Sequence, residues 1–97
     1  MTQVTPEEIV EFVRSHGDLQ LCTPAQKRPF VVRAVGDGLE YVPLSTEKSR
    51  PHQMQWLERV CEEFSRTNSM HPGDYKDLTV NASYTLAVIA AYLAAKS

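Results

Sequence analysis

The stretch FVVRAVGDGLEYVPL, residues 30–44, decides the fold of this chain. Its two halves are rich in β-branched and aromatic residues, which favour strands, and Gly36-Asp37-Gly38 separates them. A short glycine-bearing break between two such runs is typical of a β-hairpin. We therefore predict two antiparallel strands, Phe30–Val35 and Leu39–Leu44, joined by a three-residue turn that pairs Val35 with Leu39.

This register sorts the hairpin side chains onto two faces, because successive residues of a strand point to opposite sides. The first face, which we predict to enter the core, contains Phe30, Val32, Ala34, Val42 and Leu44, with Glu40 at its edge. The second face, which we predict to be at least partly open, contains Val31, Arg33, Val35, Leu39, Tyr41 and Pro43. Pro43 has no amide hydrogen and therefore favours a sheet edge for the second strand.

A helix is predicted before the hairpin. Thr5 is a good N-cap, Pro6 suits the first helical position, and Glu8 completes a Thr-x-x-Glu capping box. Val4 and Ile9 stand at the two positions of a hydrophobic staple, and Gly17 ends the helix.

Two further helices are predicted after the hairpin. The first begins with Ser49 as its cap and Pro51 in its first turn, and it runs to about Arg66. Its apolar stripe is formed by Met54, Trp56, Leu57, Val60, Cys61 and Phe64. We predict that Trp56, Leu57, Val60 and Phe64 are largely buried against the hairpin. The second, from about Ala82 to Ala95, is capped by Asn81. Its large apolar residues, which should enter the core, are Tyr84, Leu86, Val88, Ile89, Tyr92 and Leu93.

These elements predict an α+β fold of order α-β-β-α-α over a single domain, residues 1–97. A small antiparallel sheet, with an extra strand near residues 19–22 as an open alternative, packs on the helices. The composition fits one globular domain, since 42% of the residues are hydrophobic and 23% are charged. The net charge of −2 excludes a polycation, so nucleic-acid affinity would require a local patch.

The sequence predicts a soluble, cytoplasmic protein. Residues 1–8 lack the features of a signal peptide, and the longest apolar run, Leu86–Ala95, is too short to span a bilayer. Cys22 and Cys61 match no metal or redox spacing, which favours two reduced thiols. Membrane binding is not expected.

We expect no catalytic residues, no metal site and no cofactor. The three histidines, His16, His52 and His71, form no pair at metal-ligand spacing. The chain has neither a glycine-rich phosphate loop nor a Gly-x-Ser-x-Gly motif. Ser69 and other serines near turns could approach a histidine, but serines in such places mainly cap or close the turn.

A basic patch is the main functional hypothesis. Five cations lie in and around the hairpin, before and after the aromatic residue Tyr41. They are Lys27, Arg28, Arg33, Lys48 and Arg50. Cations can bind phosphates and an aromatic ring can stack a base, so this set predicts weak nucleic-acid binding. The alternative is a structural cation–π pair between Arg33 and Tyr41 across the two strands.

The last helix carries the second hypothesis, a homodimer. Small residues occupy the side opposite the large apolar residues, at Ser83, Ala87, Ala90 and Ala94. Small side chains allow two helices to approach closely, so a second copy of the same helix could cover this side. Within one chain, the first helix could cover it instead, with Phe12 and Val13.

Two stretches, residues 41–50 (YVPLSTEKSR) and the pair PGDY (72–75) and NASY (81–84), resemble a group of small uncharacterised bacterial proteins found on mobile elements such as integron cassettes. The likeness covers most of residues 30–90, and Glu47 stands where that group has a glycine. The resemblance implies a related fold and a bacterial cytoplasm, and it brings no known activity. We therefore expect a non-enzymatic binding module, either for nucleic acid or, alternatively, as a homodimeric protein-interaction or small-ligand-binding protein.

Overall fold

A computed structural model describes residues 3–23, 27–36, 38–44, 50–52, 54–69, 71–75 and 82–96. Its elements, in chain order, are α1 (Pro6–His16), β1 (Leu19–Cys22), β2 (Pro29–Val35), β3 (Gly38–Pro43), β4 (Arg50–His52), α2 (Met54–Thr67), a 3₁₀ turn (Pro72–Tyr75) and α3 (Ala82–Lys96). The described strands form one antiparallel sheet in the order β1-β2-β3-β4. The predicted α+β class is confirmed, and residues 19–22 are indeed a strand.

The start of α1 follows from its sequence. The Thr5 hydroxyl accepts a hydrogen bond from the Glu8 amide at 3.2 Å and donates one to the Glu8 carboxylate at 3.0 Å. Val4 and Ile9 are both buried, as a hydrophobic staple requires. Gly17 ends the helix with φ at +70°, a conformation that residues with a side chain rarely adopt.

The hairpin turn is one residue shorter than predicted, and this changes β3. Val35 pairs with Gly38 rather than with Leu39, so only residues 36 and 37 form the turn. Gly36 has φ at +58°, which suits the first central position of a tight two-residue turn, while Asp37 lies outside the described residues. The predicted register of β3 is therefore wrong.

A shift of one residue moves every β3 side chain to the opposite face. The prediction for β2 is correct, since Phe30 and Val32 are buried in the core. On β3, however, the inward side chains are Leu39, Tyr41 and Pro43, all of which are buried. Val42 is half-buried and Leu44 is 41% exposed, so the prediction that these two enter the core is wrong.

The prediction for residues 50–52 is also corrected by the structure. Their backbone pairs with Leu39–Tyr41 as strand β4, so the prediction that Pro51 lies in the first turn of a helix is wrong. A proline without an amide hydrogen is tolerated on an edge strand, which is the position of β4 in the described sheet. The prediction that β3 lies at a sheet edge is wrong, because β3 lies between β2 and β4. Pro43 lies beyond the last residue of β3 that pairs with β4. The predicted caps Ser49 and Asn81 lie outside the described residues.

The helices cover the inward face of the sheet. Helix α2 buries Leu57, Val60, Cys61 and Phe64, whereas Trp56 is 36% exposed with the Arg59 guanidinium 5.0 Å from its ring centroid. The prediction that Trp56 is buried is therefore wrong, because the stripe that contacts the core is narrower than the apolar stripe of the sequence. In α3 the fully buried large residues are Leu86, Val88 and Ile89.

We expect Phe64→Ala to lower the free energy of unfolding by about 3–5 kcal/mol, since it removes a buried aromatic ring and leaves a cavity. The matched control is Glu62→Ala at an exposed position of the same helix, which should change it by less than about 0.5 kcal/mol. Urea unfolding followed by circular dichroism measures both. Equal effects of the two substitutions would contradict the placement of α2.

Candidate functional site

The outward face of the sheet is a surface that the described helices leave uncovered. The described helices contact the sheet through its inward residues. On the outward face Val31 and Val42 stand directly opposite each other and are half-buried. Val35 is 53% exposed and Leu44 is 41% exposed. Leu44, Val42 and Val31 form an aliphatic strip, and the pair Arg33 and Glu40 separates it from Val35 at the hairpin turn. We call this outward side of the sheet the open face.

One end of the open face is acidic. Arg33 of β2 lies opposite Glu40 of β3, and its Nε atom is 3.6 Å from the Glu40 carboxylate and 3.5 Å from that of Asp18. This Nε atom has no partner in hydrogen-bond geometry. Two carboxylates surround one guanidinium, so this end carries a net charge of −1.

The chain just before β2, at the end of the sheet opposite the hairpin turn, is basic. Lys27 and Arg28 are exposed and immediately precede β2. Buried Thr23 holds both of their backbones: its carbonyl accepts from the Lys27 amide and its hydroxyl from the Arg28 amide, each at 3.0 Å. Lys27 has φ at +56°, a left-handed conformation that these bonds help to hold.

Of the six residues predicted to bind nucleic acid, Tyr41 is placed in the core, and the prediction that its ring lies on the outward face is wrong. Its hydroxyl is 2.8 Å from that of Thr85, and its ring stacks on that of Tyr84 with centroids 5.4 Å apart. Burial raises the pKa of the Tyr41 phenol well above its usual range. The turn length causes this error, since a two-residue turn points Tyr41 inward.

The predicted cations do not meet at one point. Arg33 lies five residues from Arg28 along β2, which is about 17 Å of extended chain. Lys48 lies outside the described residues, and for Arg50 the structure describes the backbone in β4. Lys27 and Arg28 are therefore the described cations of this set that are exposed and have no described carboxylate beside them.

The four residues predicted to form a dimer surface on α3 differ in exposure. Ala87 is 6% exposed, so the chain itself covers it, and Ser83 is half-buried. Ala90 and Ala94 are exposed. The first half of α3 is largely buried, whereas its second half contacts α1 through Tyr92 and leaves its opposite side exposed. Ala90 and Ala94 are thus the part of the predicted surface that a partner could reach.

Ser69, His71 and Asp74 lie close together after α2 but do not form a relay. The Ser69 hydroxyl donates to the Asp74 carboxylate at 2.5 Å, and His71 Nδ1 accepts from the Gly73 amide at 3.2 Å. The Tyr75 hydroxyl donates to the Ser69 carbonyl at 2.6 Å. In a nucleophilic triad the histidine bridges serine and aspartate, whereas here each side chain closes the turn.

The two cysteines occupy different environments. Cys22 is exposed at the end of β1, and Cys61 is buried in α2. Burial, reinforced by the negative charges of Glu7 and Glu8, raises the pKa of the Cys61 thiol to about 12. Because the thiolate is the reactive form, Cys61 should be inert in the folded chain.

No family model, curated protein or solved structure matches this chain. Among the residues that the structure describes, no helix has the length and apolar character needed to cross a membrane. The same residues include no group of three His, Cys, Asp or Glu side chains that could hold a metal ion.

A thiol reagent such as dithionitrobenzoate should label one cysteine per folded chain, because Cys22 is exposed and Cys61 is not. In denaturant it should label both. The Cys22→Ser variant should show no rapid labelling when folded, and rapid labelling of two thiols in the folded wild type would contradict the burial of Cys61.

Alkaline pH should destabilise the chain. The folded pKa values of Tyr41 and Cys61 are raised above their unfolded values of about 10 and 8.5, so the stabilisation is complete below those values and is lost as the pH rises. Each group should lower the free energy of unfolding by up to about 1.4 kcal/mol per pH unit within its window. Urea unfolding at pH 7–11 measures this fall.

Two variants assign the alkaline effect to its groups. Cys61→Ala should flatten the fall from about pH 8.5 upward, and Tyr41→Phe should flatten it only above about pH 10. If both variants lose stability with pH as steeply as the wild type, these two groups are not its cause.

Proposed function

We propose that this chain is a non-enzymatic, homodimeric protein-interaction module whose open face forms the contact between two copies. The observation that carries the proposal is the charge pattern of that face. Its aliphatic strip separates the basic end, Lys27 and Arg28, from the acidic end, Asp18 and Glu40.

Such a pattern is complementary to itself. A two-fold axis through the middle of the strip brings the basic end of each copy against the acidic end of the other, as an isologous contact requires. The same axis places Val31 and Val42 of one copy over the aliphatic strip of its partner. This removes exposed apolar area from water and leaves no charge opposite a like charge.

The size of the face predicts a weak dimer. β2 has seven residues and β3 has six, and four neighbouring strands at about 4.8 Å spacing give a face of roughly 400 Å² in projection. Specific interfaces bury about 800 Å² per partner, so this contact lies at the small end of the range. We expect the dimer to have a dissociation constant of tens of micromolar.

Nucleic-acid binding is the second candidate function. The observation in its favour is the exposed pair Lys27 and Arg28 at one end of a sheet face. Single-stranded nucleic acid is held by unpaired cations together with aromatic rings that stack bases. Tyr41 is in the core, the described residues of the open face include no aromatic ring, and Arg33 lies beside two carboxylates. These features favour a protein partner.

The resemblance to small bacterial proteins of mobile elements, and with it a cytoplasmic location, stays a prediction. A module of this kind would act by assembly, since the residues described here provide surfaces for contact. Dimerisation through Ala90 and Ala94 on α3 is the competing arrangement.

Light scattering coupled to gel filtration, from about 10 to 300 μM, should show a monomer–dimer equilibrium for the wild type. Val42→Lys and the double variant Lys27→Glu/Arg28→Glu should both be folded monomers, because the first places a charge in the strip and the second removes the charge match. Ala90→Glu is the matched control on α3 and should still dimerise.

A monomeric wild type at 300 μM would overturn the homodimer. A monomeric Ala90→Glu variant beside dimeric Val42→Lys would assign the contact to α3 instead. Gel shifts with single-stranded DNA and RNA at 20 and 150 mM salt test the second candidate function. Salt-sensitive binding that Lys27→Glu/Arg28→Glu abolishes, with a monomeric wild type, would establish nucleic acid in place of the dimer.

A further inference from the structure

A shallow groove between α1 and the end of α3 combines aromatic and acidic side chains. It encloses about 500 Å³ and is lined by Glu7, Glu8, Glu11, Phe12, Ser15 and Tyr92. It lies apart from the open face, and it is also remote from Ala90 and Ala94, which lie about 160° from Tyr92 around the helix. What this groove binds is therefore independent of how two copies would assemble.

The floor of the groove is aromatic. The rings of Phe12 and Tyr92 meet edge to face, with centroids 5.6 Å apart. The Tyr92 hydroxyl donates a hydrogen bond to the Glu8 carboxylate, which fixes the ring against α1. This bond lowers the pKa of Glu8, so its carboxylate stays ionised at neutral pH.

The rim of the groove carries more negative charge than its neighbours balance. Glu7 is exposed and has no charged partner among the described residues. Glu11 is 2.9 Å from Arg14, whose other terminal nitrogen donates to the Gly36 carbonyl at 3.2 Å. Arg14 is thus held between α1 and the hairpin turn, on one side of the groove.

A contact within the chain indicates that the groove suits a cationic ligand. The Lys96 ammonium lies 5.5 Å from the centroid of the Tyr92 ring and 3.8 Å from the Glu8 carboxylate. A cation over an aromatic ring and beside a carboxylate gains from both the ring quadrupole and the opposite charge. Lys96 is 60% exposed in its side chain and lies in the last turn of α3, so a cation that binds the ring and the carboxylate more strongly could displace it.

We propose that the groove binds a basic segment of a partner protein, with an arginine side chain over Phe12 and Tyr92 and its guanidinium paired with Glu7 and Glu8. Arginine suits the groove better than lysine, because its planar guanidinium stacks on rings and pairs with a carboxylate through two hydrogen bonds. A second arginine along the same segment reaches Glu11.

The probe is the capped hexapeptide (Arg-Gly)₃, measured by titration calorimetry at 50 and 150 mM salt with the protein at 10 μM, below the expected dimer range. We expect a dissociation constant of roughly 10–100 μM, because two or three partly exposed cation contacts stabilise the complex only weakly. The same peptide with citrulline in place of arginine keeps the shape without the charge, and it should bind at least tenfold more weakly.

Matched variants locate the site. Glu7→Gln/Glu11→Gln should weaken peptide binding at least fivefold. The control Glu58→Gln/Glu62→Gln makes the same change in net charge at exposed positions of α2. It should leave the dissociation constant within about 1.5-fold of the wild-type value. Lys96→Gln should tighten binding about threefold by removing the internal competitor. Arg66→Gln removes a cation elsewhere and should not.

Several results would overturn the proposal. These are no binding at 50 mM salt, equal losses in the two double-glutamine variants, or equal effects of Lys96→Gln and Arg66→Gln. Spermidine serves as a polyamine probe, and binding as tight as that of the peptide would assign the groove to polycations in general. None of these outcomes depends on the oligomeric state, so the failure of this proposal is distinguishable from failure of the homodimer.

Discussion

The pairing of Val35 with Gly38 is the constraint on which the rest of the structure depends. It makes the hairpin turn two residues long, and Gly36 makes this turn accessible by adopting a positive φ without a side-chain clash. Because strand side chains alternate, this single choice directs Leu39 and Tyr41 inward and Val42 outward. A turn of three residues would have exposed the largest side chain of β3.

The placement of Tyr41 then organises the contact between the sheet and α3. Its ring lies among those of Phe30 and Tyr84, with centroids 6.0 Å and 5.4 Å away, and its hydroxyl meets that of Thr85. A buried phenol without a partner would cost a substantial part of the stability of a small domain. Thr85 removes that cost, and its bond joins residues 44 positions apart in the chain. The aromatic cluster therefore aligns α3 on the sheet as well as filling the core.

The surfaces are the consequence of this packing. With Tyr41 inward, the outward face keeps aliphatic residues and ion pairs and carries no described aromatic ring. The position of α3 brings Tyr92 against Phe12 of α1, and the acidic first turns of α1 surround that contact. Two surfaces of different chemistry thus arise on one small fold: a sheet face with aliphatic and charged residues, and an acidic, aromatic groove.

The sequence by itself determined the elements whose signals are local. The capping box and staple of α1, its end at Gly17, the inward residues of β2 and the apolar core stripe of α2 all follow from neighbouring residues, and so does the α+β class. Only the tertiary structure decided the register of β3, the strand at residues 50–52, the exposure of Trp56 and the burial of Ala87. These depend on which residues lie opposite one another across the sheet or between helices, and patterns along the chain do not specify such distant pairings. The cations Lys27 and Arg28 could be identified from the sequence. The ion pairs of Arg33 and the hydrogen bond between Tyr92 and Glu8 could not, because they join residues that are brought together only by the fold.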